Sequence, residues 1–287
     1  MSRPLVGLRL AAPLLSATLL CILAGCSHVG TANGESKCTS TLAGGTGSHS
    51  ASAAISGRRD HSIIWIVPQS LLQNYTADGK LIIDRALDND HTYIYGAPPA
   101  AIGLATAWYS SYAQIVTAFE NGSLPGRYKA VIYDNERWLA TPTREQQDPV
   151  YYEKLVAKLL HKHGLIYIAA PTPDLMWAIA RPRDSYRAYL ERNVAGNAAR
   201  YADVIDIQGQ VRETNLREFK AFVTSAVRQA RSANPHVTVL IGLRTNPGAQ
   251  KLLTAYHDVV GLANGYWLNV NGRPQVAISF LRQIYCS

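Results

Sequence analysis

The stretch with the clearest chemical content is Ala130-Val131-Ile132-Tyr133-Asp134-Asn135-Glu136-Arg137-Trp138. Its apolar start predicts a buried strand, and strand residues two apart point to one face, roughly 6.5–7 Å apart along the backbone. Asp134 and Glu136 therefore share a face at the strand's C-terminal end. A carboxyl beside a second carboxyl holds its proton more tightly, which keeps an acid protonated near neutral pH. A protonated Glu136 can give that proton to a leaving oxygen, the step that glycoside cleavage needs. The competing reading is a solvated acidic turn, with Asp134 capping a loop and Glu136 paired to Arg137 or Arg144.

Such a pair is useful only if other elements bring partners to it. Apolar runs at 63–67, 92–95, 130–133, 165–169, 204–207, 237–243 and 266–270 read as strands. Segments at 101–120, 149–163, 185–201, 215–232, 248–260 and 275–285 repeat apolar residues at three and four, the helical period. Alternation at this spacing predicts parallel strands joined by crossover helices. An eighth strand at 81–84 completes the count for an α/β fold of the TIM-like (β/α)8 barrel type over residues 61–287. Trp108, Tyr109 and Tyr112 are then helical packing residues. The alternative, an open doubly wound sheet, is weakened because no Gly-rich phosphate loop follows the first strand.

Polar and aromatic residues recur on one parity at the strand ends: Tyr93 and Tyr95, Asp134 and Glu136, Asp206, Gln208 and Gln210, Gly242 and Arg244, Trp267, Asn269 and Asn271. A barrel gathers those ends at one mouth. Tyr95, Gln208, Gln210, Arg244, Trp267 and Asn269 are the candidate substrate-binding residues around the catalytic candidates Asp134 and Glu136. Glutamine amides offer both donor and acceptor to sugar hydroxyls. Arg244 either pins a substrate carboxylate or locks Glu136 in a salt bridge. Trp138, Trp177 and Tyr133 are further candidates to stack on sugar faces. The polar segment 141–149 is a rim loop beside the pair.

With 47% hydrophobic and 17% charged residues, the chain is neither disordered, collagen-like nor a coiled coil. The formal charge of +8 is scattered, and part of it (Arg3 and Arg9) lies in a segment expected to be removed, so no nucleic-acid partner is expected. No Cys-x-x-Cys, Cys/His cluster or Gly-x-Ser-x-Gly elbow occurs, so neither a metal nor another cofactor is called for, and a serine esterase is not indicated.

Residues 1–25 carry a basic start and a short apolar run ending in Leu23-Ala24-Gly25-Cys26. This resembles the lipobox of bacterial lipoproteins. The resemblance implies diacylation of Cys26, cleavage before it, and an extracytoplasmic domain held at the membrane by lipid. Residues 26–60, rich in Ser, Gly, Thr and Ala, read as a flexible tether. Cys38 and Cys286 are then the remaining thiols and a candidate disulfide. The Asp-x-Glu at the end of a fourth barrel strand resembles family 18 chitinase-type glycoside hydrolases. There the Glu is the general acid, the preceding Asp positions the substrate's own N-acetyl group, and a Trp on the last strand, here Trp267, lies under the sugar. The chain departs from that family at Ile132, where the family has Asp, and at Asp206-Ile207-Gln208, where it has Tyr-Asp. Two other readings remain: a non-catalytic glycan-binding barrel, and a two-lobed solute-binding lipoprotein.

Overall fold

Short apolar strands alternate with helices along the chain, and each strand pairs with the next in sequence. The computed structural model describes residues 63–73, 76–96, 102–124 and 126–286. The signal segment, the tether, Cys26 and Cys38 fall outside the described residues. Cys286 is disulfide-bonded. Among the described residues, no helix is long and apolar enough to cross a membrane.

Eight parallel strands close into a barrel in sequence order: β1 (Ile64–Pro68), β2 (Tyr93–Tyr95), β3 (Leu104–Tyr109), β4 (Ala130–Tyr133), β5 (Ile166–Ala169), β6 (Val204–Ile207), β7 (Thr238–Arg244) and β8 (Gly265–Asn269). The fold is the (β/α)8 TIM-like barrel. At the closing seam Gly265 of β8 faces Ile64 of β1, and a Cβ there would collide with the Ile64 carbonyl.

Helices cover the outside: α1 (Ala77–Leu87), α2 (Tyr112–Glu120), α3 (Thr143–Gln147), α4 (Pro149–Lys162), α5 (Leu175–Ile179), α6 (Ser185–Glu191), α7 (Val194–Ala199), α8 (Leu216–Ala233), α9 (Ala249–Val259) and α10 (Pro274–Tyr285). Their inward faces follow the helical period, as in α8, where Phe219, Phe222, Val223, Ala226, Val227 and Ala230 are buried. Alternate strand residues split into two apolar bodies. Val131, Tyr133, Tyr167, Ile205 and Ile241 face the helices, whereas Ile66, Tyr93, Ala130, Ile132, Ile168, Val204, Leu240 and Trp267 fill the barrel.

The eighth strand is not 81–84. That run lies in α1, where the Thr76 side chain caps the helix by accepting from Gly79 N at 3.3 Å and Ile82, Ile83, Ala86 and Leu87 are buried. The missing strand is β3, inside the segment read as the helix 101–120. Gly103 at φ +66° precedes it, and Ser111 starts α2 by accepting from Gln114 N at 3.2 Å. The correction leaves the acidic pair after the fourth strand. The expected helix 185–201 is two helices, α6 and α7, parted at Asn193 with φ +52°. The described residues form one barrel and not two lobes around a hinge, against the solute-binding reading.

Candidate active site

Beyond the end of β4 the alternation continues. Asp134 N donates to Tyr109 O at 2.9 Å, prolonging the ladder to β3, and Thr172 N donates to Asn135 O at 3.2 Å, tying the loop to the end of β5. Asn135 faces the helices, where its Nδ2 donates to Tyr133 Oη at 3.1 Å and Glu145 O at 3.2 Å. Asp134 and Glu136 thereby turn to the barrel mouth together.

Asp134 is buried and held by two donors from other strands. Trp108 Nε1 donates to its Oδ2 at 3.0 Å, and Gln208 Nε2 donates to its Oδ1 at 2.9 Å. Burial pushes its carboxyl up to about 7, helped by nearby Asp206 and Asp174 and opposed by the two donors. Glu136, half-buried, is pushed up to about 8 by burial first and then by Asp134 and Asp174; a hydrogen bond with Asp134 also holds its proton. The two carboxyls titrate as one unit, and the donors to Asp134 favour placing the shared proton on Glu136.

Glu136 opens into a cavity of about 300 Å³ lined also by Asp174, Tyr186, Gln208, Gln210 and Val211. That volume suits a small sugar unit. Asp184 caps α6 through Tyr186 N (2.9 Å) and pairs with Arg212 (2.9 Å), whose guanidinium lies 4.2 Å from the Tyr186 ring centre, so that ring is fixed at the cavity wall. Two larger depressions do not reach Glu136. One, about 420 Å³, runs along α8 near Arg228 and Arg231, and the other, about 570 Å³, lies beside α2 and is lined in part by Trp108; neither includes a carboxylate.

Several expected residues meet here. Gln210 Nε2 donates to Gln208 Oε1 at 2.6 Å, and Gln208 Nε2 also reaches Ala170 O at 3.2 Å. Tyr95 lies near Asp134 and Asp206 and packs edge-on against Trp267 with ring centres 5.5 Å apart; Trp267 Nε1 donates to Tyr95 Oη at 3.4 Å. Trp267 is buried in the barrel interior, so it floors the mouth beneath Tyr95. Asn269 is half-buried at the end of β8, where its carbonyl accepts from Thr245 N at 3.0 Å.

Other expectations change. Arg244 does not lock Glu136: its Nε pairs with Glu213 at 3.0 Å, and its backbone N donates to the same carboxylate at 3.1 Å. Glu213 is buried, and Arg244 only partly offsets that burial, so its carboxyl is pushed up to about 7. Tyr133 has the wrong parity for sugar stacking; it is fully buried against the helices and donates to Glu145 Oε2 at 2.9 Å. The segment 141–149 is no simple rim loop, since α3 carries Glu145 into the wall. Trp108, assigned to helical packing, is a strand residue of the site. Its ring meets Trp138 edge-on with centres 5.7 Å apart, and its strand lies directly beside the strand that carries Tyr95. The alternation Leu104-Ala105-Thr106-Ala107-Trp108-Tyr109 between Gly103 and the Ser111 cap was the signal for it. Among the described residues, no cluster of His, Cys, Asp and Glu could hold a metal ion.

No family model and no curated protein matches the chain. Among solved structures, it is similar to a curdlan-specific exo-β-1,3-glucanase of family GH128 (subgroup III) from Blastomyces gilchristii, determined in complex with glucose. The identity is 12%, the TM-score 0.45, and the match covers 72% of this chain and 94% of that one. At this distance the barrel rests on its own strand pairing and the site on its own geometry.

Proposed function

We propose that this protein is an extracytoplasmic glycoside hydrolase-like enzyme, anchored through lipidated Cys26, that cleaves a cell-surface or environmental glycan by carboxylate acid/base chemistry. The observation that carries the reading is Glu136, an acid whose carboxyl is pushed up to about 8 and which opens to a sugar-sized cavity beside a second carboxyl held by fixed donors. Glu136 gives its proton to the leaving glycosidic oxygen as the bond to the anomeric carbon breaks. The carboxylate left behind then takes a proton from the incoming water. Asp134 keeps Glu136 protonated before the step and, by the family 18 resemblance, orients a substrate acetamido group as the nucleophile. Gln208 and Gln210 offer amides to the sugar, and Tyr95 and the Trp108–Trp138 pair offer apolar faces.

A second reading, a glycan-binding barrel without catalysis, is favoured by Ile132, which is buried in the barrel interior where the resembled family has a carboxylate. One experiment separates the two. Wild type and Glu136→Gln are incubated with a broad glycan panel, and product release and binding are both measured. Turnover by wild type that vanishes in the variant, with binding retained, supports the enzyme; binding without product from wild type supports the second reading and overturns the first. The anchor is tested by Cys26→Ser, which should move the protein out of the membrane fraction; unchanged membrane association contradicts it.

A further inference from the structure

One polar group at the mouth enters the acid step only as a neighbour of Asp134. Asp206 on β6 is fully buried, and neither of its carboxyl oxygens has a hydrogen-bond partner; Gln210 Oε1 is likewise buried and unpartnered. These atoms border one notch, made by Gly242 on the neighbouring strand β7. A Cβ on Gly242 would collide with Gln210 Oε1 and come within 3.3 Å of Asp206 Oδ2. The titratable groups around Asp206 are Tyr95 from β2, Asp134 after β4 and Tyr189 from α6, none of them a cation. A carboxylate in that setting is too costly to keep, and burial pushes Asp206 well above the usual carboxylate range. A neutral carboxyl is a donor, and Gln210 Oε1 lacks one.

We propose that Asp206 is a positioning residue, donating across the Gly242 notch to Gln210 Oε1, directly or through one water, and thereby fixing the direction of the hydrogen bonds that hold Asp134. The order follows from the amides. With its oxygen occupied by Asp206, Gln210 can only present Nε2 to Gln208 Oε1, as it does at 2.6 Å. Gln208 must then present Nε2 to Asp134, as it does at 2.9 Å. Every donor in the chain points toward Asp134, which favours its ionised form and leaves the shared proton on Glu136. The meaning for catalysis rests on the proposed function, whereas the hydrogen-bond order does not.

The test needs no substrate. The full chain, carrying ¹³C at Asp and Glu carboxyls, is titrated by NMR as wild type, Asp206→Asn, Asp206→Ala and Gln210→Met. Asp206→Asn keeps a donor facing Gln210 and should leave the first apparent pKa of the Asp134–Glu136 pair unchanged. Asp206→Ala frees the chain and should raise that value by about one unit, the scale of one lost donor. Gln210→Met should raise it similarly and stands in if Asp206→Ala fails to fold. A fall in Asp206→Asn or Asp206→Ala would mean that Asp206 is an ionised neighbour of Asp134, and no shift in any variant would mean that the chain is not coupled; either overturns the inference. Titrations as expected in a protein that cleaves no glycan would sink the proposed function and leave this inference standing.

Discussion

The barrel mouth and the barrel wall both bury carboxyl groups, and they use them differently. In the wall, Glu145 is fully buried and its oxygens accept from Tyr112 N (2.7 Å), Tyr133 Oη (2.9 Å) and Ala113 N (3.4 Å), so it clamps the start of α2 to β4. Glu153, also buried, accepts from the Tyr167 hydroxyl and joins α4 to β5; burial pushes its carboxyl up to about 8. In the mouth, Glu136 carries a similarly raised carboxyl, but it faces a cavity and a second acid. A raised carboxyl is therefore no mark of chemistry by itself. Access and an acidic partner make the difference.

If that contrast holds, the two regions break in different ways. The largest effect belongs to Glu136→Gln, which should lower glycan turnover by about 10²–10⁴-fold, the usual range for losing a general acid, while the protein still folds. Glu145→Ala should do the opposite. It leaves two helix N–H groups and a buried hydroxyl without their acceptor, which costs about 2–4 kcal/mol of stability in denaturant unfolding, while the folded fraction keeps its pH profile. Equal loss of turnover per folded molecule in both variants would erase the distinction.

The difference between the regions was half visible in the sequence. Period-2 parity in 130–136 placed Asp134 and Glu136 on one face, and the same parity sent Gln208, Gln210 and Tyr95 to the mouth, because a parallel barrel shares its inward face among all strands. Parity also gives Tyr133 to the wall, so its place beside an acid does not make it a stacking residue. Trp108 was lost because Leu104–Tyr109 contains two alanines, and a run of that composition continues smoothly into the helical pattern of α2. Arg244 could not be assigned from sequence at all. Its partner Glu213 comes from the loop after β6, and only the packed mouth shows that this carboxylate, and not Glu136, is in reach.

Smaller effects are expected from residues that support each region. Trp108→Phe keeps the ring against Trp138 but removes a donor to Asp134, so the first apparent pKa of the pair should rise by about one unit; an unchanged titration would mean that Trp108 only packs. The wall gives a signal in stability and not in turnover. Glu153 binds a proton in the folded chain that the unfolded chain releases at lower pH, so its contribution is complete below the usual carboxylate range and is lost as pH rises through about 8. Chemical denaturation from pH 5 to 9 should show stability falling with pH, and Glu153→Gln should flatten that slope. A slope of the opposite sign in wild type would contradict the assignment.

Catalysis at the mouth turns on Glu136 delivering a proton to a leaving oxygen. Leaving-group dependence tests it most directly, because a dinitrophenolate departs without a proton whereas a sugar alkoxide does not. Wild type and Glu136→Gln are compared on a natural glycan that wild type cleaves and on the dinitrophenyl glycoside of the same sugar. If Glu136 is the acid, the variant loses about 10²–10⁴-fold in kcat/KM on the glycan and keeps near wild-type rates for bond cleavage on the activated glycoside. Equal losses on both substrates, or none on either, would show that Glu136 is not the acid.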